Sequence, residues 1–172
     1  MDLTGNPAFR DYILLSLFTG ARRSNVLSMR WKDIDFERSI WRIPGEVSKN
    51  GDPMQVPLIP EALEILRRRR AETSSVFVLP GEGRTGHYTT PTHAWETLLK
   101  RAKLEDLRIH DLRRSMGSWM TIGGTSLPIV GKALGHKTSQ ATSIYARLNL
   151  EPVRAAMEQA GVAMSRYRKK TV

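Results

Sequence analysis

Six residues of this 172-residue chain have types and spacings that could act together on a phosphodiester. His110 and Arg113 stand three apart in the run His-Asp-Leu-Arg, so on a helix they project from one face. Leu134-Gly135-His136 follows, with Gly135 suited to ending a helix, and Tyr145 comes nine residues after His136. Upstream, Arg22 and Arg23 follow Gly20-Ala21, and Lys49 precedes Asn50-Gly51. Two arginines can clamp the non-bridging oxygens of a phosphodiester through paired hydrogen bonds, which a planar guanidinium makes better than an ammonium. They would also hold the charge of a pentacoordinate transition state. A lysine at a turn can protonate the leaving oxygen. One histidine can accept the nucleophile's proton and a second can bond the phosphate. A tyrosine can attack phosphorus and become the covalent partner.

Each residue also has an ordinary reading. Tyr145 lies beside Ala141, Ile144 and Leu148, and taken alone it is a half-buried packing residue. His110 could cap a helix, and a lysine on a turn is usually solvated. Position alone does not separate Arg22 from Arg23, or Arg113 from Arg114. The run Arg67 to Arg70 reads as a mostly solvated helix end, with Arg67 a candidate for DNA-backbone contact. Arg84 and Lys132 are candidates of the same kind. His87 and His93 read as a loop residue and a helix-surface residue without a role. Carboxylates are not clustered, and neither His110 nor His136 has the spaced acidic companions of a metal site. No metal or cofactor is expected.

The positioning elements follow from pattern. A helix is expected over 7–18, opened by Pro7 and ended by Gly20, and a short one over 22–29. Residues 39–43 and 54–58 alternate and are rich in strand formers, and Asn50-Gly51 between them marks a hairpin with Lys49 at its tip. A helix over 60–72, a short strand or extended stretch over 75–79 and a loop over 80–90 come next. Helices are then expected over 91–102, 110–122, 127–133, 139–148 and 151–162. The fold class is mainly α with a small antiparallel β-sheet. Residues 1–162 form one domain and the basic end, 163–172, a frayed tail.

Composition narrows the function. Forty per cent of the residues are apolar, including four tryptophans, which is enough for a core. There is no cysteine, which excludes disulfides, thiolate metal sites and cysteine nucleophiles. No stretch approaches the ~20 apolar residues that span a membrane. Lys plus Arg is 27 against 17 Asp plus Glu, a formal net charge of +10 that attracts polyanions. Nucleic acid suits that charge better than an anionic membrane surface, because no basic amphipathic segment with a strongly apolar face stands out.

The blocks Thr-Gly-Ala-Arg-Arg-Ser, Ser-Lys-Asn-Gly, His-Asp-Leu-Arg-Arg-Ser and Leu-Gly-His-Lys, with the tyrosine nine residues on, resemble those of tyrosine recombinases. The subgroup resembled is the bacteriophage and genomic-island integrases. The blocks fall in that family's order from about residue 7 to 150. The resemblance implies the DNA breaking-rejoining catalytic-domain fold of that family. It selects Arg22 and Arg113 as the arginines, Lys49 as the hairpin lysine, His110 and His136 as the histidines, and Tyr145 as the nucleophile. It implies a 3′-phosphotyrosyl link, a released 5′-hydroxyl, and strand exchange without metal or ATP. Double-stranded DNA at recombination sites is the implied substrate, in the cytoplasm at the nucleoid. Other protomers are implied partners, docked through residues 151–162. Asn25 stands where the family usually carries an acid, and Ser115 where threonine is usual. The family's N-terminal core-binding domain is not in the chain, which reads as an excised catalytic domain. The competing readings are topoisomerase-like DNA relaxation of type IB and a non-catalytic DNA-binding module.

Overall fold

The computed structural model describes residues 5–48, 51–89 and 91–170, with the side chains of 163–170 excepted. Helices dominate. They are α1 (Pro7–Thr19), α2 (Arg23–Leu27), α3 (Pro60–Glu72), α4 (Thr92–Ala102), α5 (Ile109–Ile122), α6 (Leu127–Leu134), α7 (Ser139–Ser143) and α8 (Glu151–Lys170). Strands β1 (Ile34–Asp35), β2 (Ile40–Ile43) and β3 (Met54–Pro57) form an antiparallel sheet in the order β1-β2-β3. The chain divides into two units. The first comprises residues 1–116 and 133–135, the second 117–132 and 136–172.

The first unit holds the main core, and its helices form where sequence chemistry says they should. Asn6 caps α1 by accepting the Phe9 N–H at 3.1 Å, Pro7 fills the first turn, and Gly20 ends the helix at φ 58°. Pro60 opens α3. Ala62, Ile65, Leu66 and Arg69 recur on the buried face of α3, three or four apart, and that helix packs on α1. In the sheet, Trp41 pairs with Val56, and both are buried beside Ile43, while Arg42 and Gln55 alternate outward. Phe9, Tyr12, Leu15, Val26 and Leu66 are fully buried in the same cluster.

Several expectations shift. The arginine run is not a solvated helix end. Arg69 is 7% exposed and donates to Asp11 Oδ2 at 2.9 Å and to the Val78 carbonyl at 2.7 Å. Arg68 donates to Asp11 Oδ1 at 2.6 Å, and Arg70 stacks on the Trp31 ring. Counting charge alone misses this, because Asp11 lies on α1, far away in sequence. Arg67 does remain exposed. Strand β1 is two residues long, too short for an alternation signal. Residues 75–79 are extended, joined to the chain before β1 by an Arg30–Phe77 bridge. The helix expected over 139–148 stops at Ser143, and a 3-10 turn follows at Ala146–Leu148. The last helix continues to Lys170, past residue 162, because only Gly161 interrupts a run of helix formers there.

The second unit is smaller. It buries Thr121, Val130, Thr142 and Tyr145. Asn149 donates its side-chain amide to the Thr121 carbonyl at 3.1 Å, which ties the start of α8 to the end of α5.

Asp11 is fully buried and carries both arginines, so its removal should cost far more than a surface ion pair. For Asp11→Ala, urea unfolding is expected to show a loss of about 3–5 kcal/mol, the usual cost of stranding one partner of a buried pair. A loss of only about 1 kcal/mol, typical of exposed pairs, would mean that carbonyls and solvent satisfy Arg69 without it.

Candidate active site

The first unit places Arg22 and Arg113 at two helix ends. The carbonyls closing a helix have no partner within it and carry the negative end of its dipole. Arg113 is 6% exposed and donates one amine to the Gly20 carbonyl at 2.7 Å, at the end of α1, and the other to the Leu134 carbonyl at the end of α6. Arg22 donates to the Gly135 carbonyl at 3.1 Å. Gly20 and Gly135 both have positive φ, 58° and 61°. A Cβ on Gly20 would lie 2.9 Å from the Leu134 side chain, and one on Gly135 would lie 2.6 Å from Met54 Sδ. Both glycines are therefore fixed by handedness and by space.

This geometry separates residues that position in the sequence does not. Arg22 is half-buried and bonded, while Arg23 is exposed. Arg113 is buried, while Arg114 is exposed and pairs with Asp111 at 2.9 Å. Asn25, at the position where an acid is usual, is 3% exposed, and its Oδ1 has no hydrogen-bond partner among the described residues. Ser115 bonds back to the Asp111 carbonyl at 2.9 Å. That contact is local to α5.

His110 sits in the first turn of α5, one helical turn before Arg113. Partial burial, then the charges of Arg113 and Arg114 and, more weakly, Arg22, push its pKa below the ordinary 6.5, against an opposing pull from Asp111. The ring is thus biased toward the neutral form that can accept a proton. His110 lines a cleft of about 750 Å³ with Arg22, Arg23, Ser28, His87 and Thr89. His87, a loop residue without a role in the sequence reading, belongs to this cleft through folding of its loop. Lys49 lies outside the described residues.

The second unit carries His136 and Tyr145. The His136 N–H bonds to the Gly131 carbonyl at 2.9 Å, the six-to-one closure of a glycine-ended helix. Its Nδ1 meets Thr142 Oγ1 at 2.9 Å. Gly131 permits this, because a Cβ there would lie 2.8 Å from the same hydroxyl oxygen. Thr142 and Gly131 are supports that the sequence reading missed, and nothing in their spacing marks them. Tyr145 stands between α7 and the 3-10 turn and is 4% exposed. Its apolar neighbours Ile144 and Leu148 point outward, at 51% and 39% exposed. The stripe reading is corrected on this point, since the break in the helix turns Tyr145 inward and those neighbours out. Of the DNA-contact candidates, Arg67 and Arg84 lie exposed on the first unit and Lys132 on the second. Among the described residues, no cluster of three histidine or acidic side chains could hold a metal ion.

Comparison with known proteins fits this arrangement. The Phage integrase family pattern matches residues 6–151, and the chain belongs to that family. The integrase of Salmonella phage P22 is 30% identical over 151 residues, covering 81% of this chain and 39% of that protein. Prophage integrase IntF of Escherichia coli (strain K12) is 31% identical, covering 87% and 33%. Tyrosine recombinase XerA of Pyrococcus furiosus is 28% identical, covering 89% and 54%. The chain thus spans between a third and just over half of these relatives. Among solved structures, the Tn1549 transposon integrase superposes with a TM-score of 0.74 at 18% identity, over 87% of this chain and 57% of that one. The catalytic domain of bacteriophage HP1 integrase superposes at 0.63 and 19%, over 86% and 79%. The fold is that of tyrosine-recombinase catalytic domains.

The His110 shift has a sign that can be measured. Above the ordinary value of 6.5 the ring is neutral folded or unfolded, and stability is full. As pH falls below it, the unfolded chain binds the proton first, so stability declines through the depressed folded value. Urea unfolding between about pH 7 and about pH 5 is expected to show a smaller acid-side loss in His110→Gln than in the parent. Equal losses would mean that His110 titrates alike in both states.

Proposed function

We propose that this domain cuts and rejoins duplex DNA at recombination sites by transesterification through Tyr145. The observation that carries the reading is the pair of guanidiniums, Arg22 and Arg113, anchored at glycine-ended helices with His110 beside them. Such a pair can receive the two non-bridging oxygens of a phosphodiester. The Tyr145 oxygen attacks phosphorus, its proton passes to a neutral histidine, and His110 is biased to that form. A 3′-phosphotyrosyl bond forms as the bond to the 5′ oxygen breaks, and that oxygen takes a proton from Lys49. The 5′-hydroxyl of a second duplex then attacks the link and restores a phosphodiester. His136, held by Thr142, bonds the phosphate. Bond energy is kept, so the scheme calls for no ATP and no metal.

Related proteins support the substrate. The Tn1549 integrase is solved with a circular intermediate DNA, and XerH, which superposes at a TM-score of 0.71, is bound to a difH substrate. The net charge of +10 and the exposed Arg67, Arg84 and Lys132 favour backbone contacts. Acting on bacterial or phage DNA, the domain works in the cytoplasm at the nucleoid. No helix among the described residues is long and apolar enough to cross a membrane. Residues 151–162 dock on a neighbouring protomer in this reading. Val153 and Met157, four apart on α8, are 54% and 70% exposed and need a cover.

The nucleophile is tested with a nicked duplex carrying the recombination site. The parent is expected to leave a covalent protein–DNA adduct and Tyr145→Phe none, with DNA binding unchanged; equal adduct from both would remove Tyr145 from the chemistry. Sequence-independent plasmid relaxation by the parent would favour the topoisomerase-like alternative. Separately, ending the chain after Leu150 should weaken multimer formation on DNA, read by native gel, while leaving the unfolding midpoint of the first unit in place. Unchanged assembly would count against a docking role for α8.

A further inference from the structure

The cleft beside Arg22 and His110 has a wall that neither residue supplies. That wall is a folded loop. Gly81 N–H bonds to the Gly86 carbonyl, Gly86 N–H to Gly83, and Tyr88 N–H to Leu79, at 3.2, 2.8 and 2.8 Å. A Cβ on Gly81 would sit 2.5 Å from the His87 carbonyl oxygen, so the turn closes only around glycine. The loop sets the His87 ring edge-on against Phe77, at 5.1 Å between centroids. His87 Nδ1 lies 3.0 Å from the Tyr88 carbonyl. A carbonyl oxygen only accepts, so Nδ1 carries a hydrogen, and in the neutral ring Nε2 is an acceptor.

Arg23 lines the same cleft and is exposed. Arginines 10, 42, 68, 69, 114 and 154 each lie against a carboxylate, but no ion pair is recorded for Arg23 among the described residues. An exposed guanidinium next in the chain to Arg22, lining the same cleft as a fixed imidazole, offers positive charge to an anion.

We propose that Arg23 and His87 form a second phosphate subsite, for the phosphate next to the scissile one on the same DNA strand. Arg23 donates to it directly. His87 Nε2 accepts from a water that gives its other hydrogen to a phosphate oxygen. The proposal rests on the DNA reading of the adjacent Arg22 site. It adds backbone grip without base readout, because both contacts end on phosphate.

The two contacts differ in charge, and salt separates them. A fluorescein-labelled mixed-sequence duplex of about two helical turns is titrated with the chain at several salt concentrations. Arg23→Ala is expected to lower affinity about tenfold and to reduce the slope of log K against log salt by about 0.9, one phosphate contact. His87→Ala removes only the water-mediated contact and should weaken binding about two- to tenfold with the slope unchanged. Arg38→Ala, an exposed arginine in the turn between β1 and β2, controls for net charge. Circular dichroism checks that each variant folds. A slope for Arg23→Ala matching that of Arg38→Ala, or parental affinity in His87→Ala, overturns the subsite. The Tyr145 adduct assay decides the cleavage reading separately. A lowered slope in Arg23→Ala without any parental adduct would sustain the subsite while cleavage fell.

Discussion

The structure turns on guanidinium groups bonded to the last carbonyls of helices. In the proposed function, an arginine that receives a phosphate gains from being fixed before the substrate arrives. Carbonyls at a helix C-terminus hold the cation through partial charges and leave the formal charge intact. Arg113 spans two such ends, at Gly20 and Leu134, and Arg22 takes the next carbonyl, at Gly135. This works only if each helix stops sharply, which explains why both helices end on glycine at positive φ. A lysine could not take Arg113's place, because its donors share one atom and cannot reach two separate carbonyls in a fixed fork.

The contacts behind α1 fix the helix that ends at the Gly20 carbonyl. Asn6 fixes where that helix begins. Asp11, on its buried face, locks it to α3 through Arg68 and Arg69, and Arg69 continues to the Val78 carbonyl. Phe9, Tyr12 and Leu15 fill the core on the same helix. Burying a carboxylate is costly unless its charge is met. Two arginines from α3 meet it here, and the pairs tie that helix to α1. The arginines at the site and the arginines in the core thus have different partners. The first are bonded to helix-end carbonyls and the second to a buried carboxylate.

The fold class was legible because its signals are local. Pro7, Gly20, Pro60 and the alternation at Trp41 and Val56 each act within a few residues, and the helices and two of the three strands followed from them. The site was legible in its order along the chain but not in its physics. Only the folded chain shows why Arg22 differs from Arg23, since the difference is a bond to Gly135, more than a hundred residues away. The arginine run was misread for the same reason, as Asp11 lies 58 residues from Arg69. The contacts of Thr142 and His87 were invisible because a hydroxyl and an imidazole find their partners through folding, not through spacing. The apolar neighbours of Tyr145, Ile144 and Leu148, were misread as an inward stripe, because a helix was assumed to continue where it breaks after Ser143.

That break bears on how a tyrosine can serve as a nucleophile. In a continuous helix Tyr145 would share its direction with residues three and four away. The turn after α7 gives it an orientation of its own, bonded through its N–H to the Thr142 carbonyl at 3.1 Å. Thr142 therefore supports two groups at once, His136 through its hydroxyl and Tyr145 through its backbone. The arginines are held by an independent set of carbonyls in the first unit. In the proposed chemistry Gly20 and Gly135 therefore bear on the phosphate alone, whereas Thr142 bears on the phosphate through His136 and on the nucleophile through Tyr145.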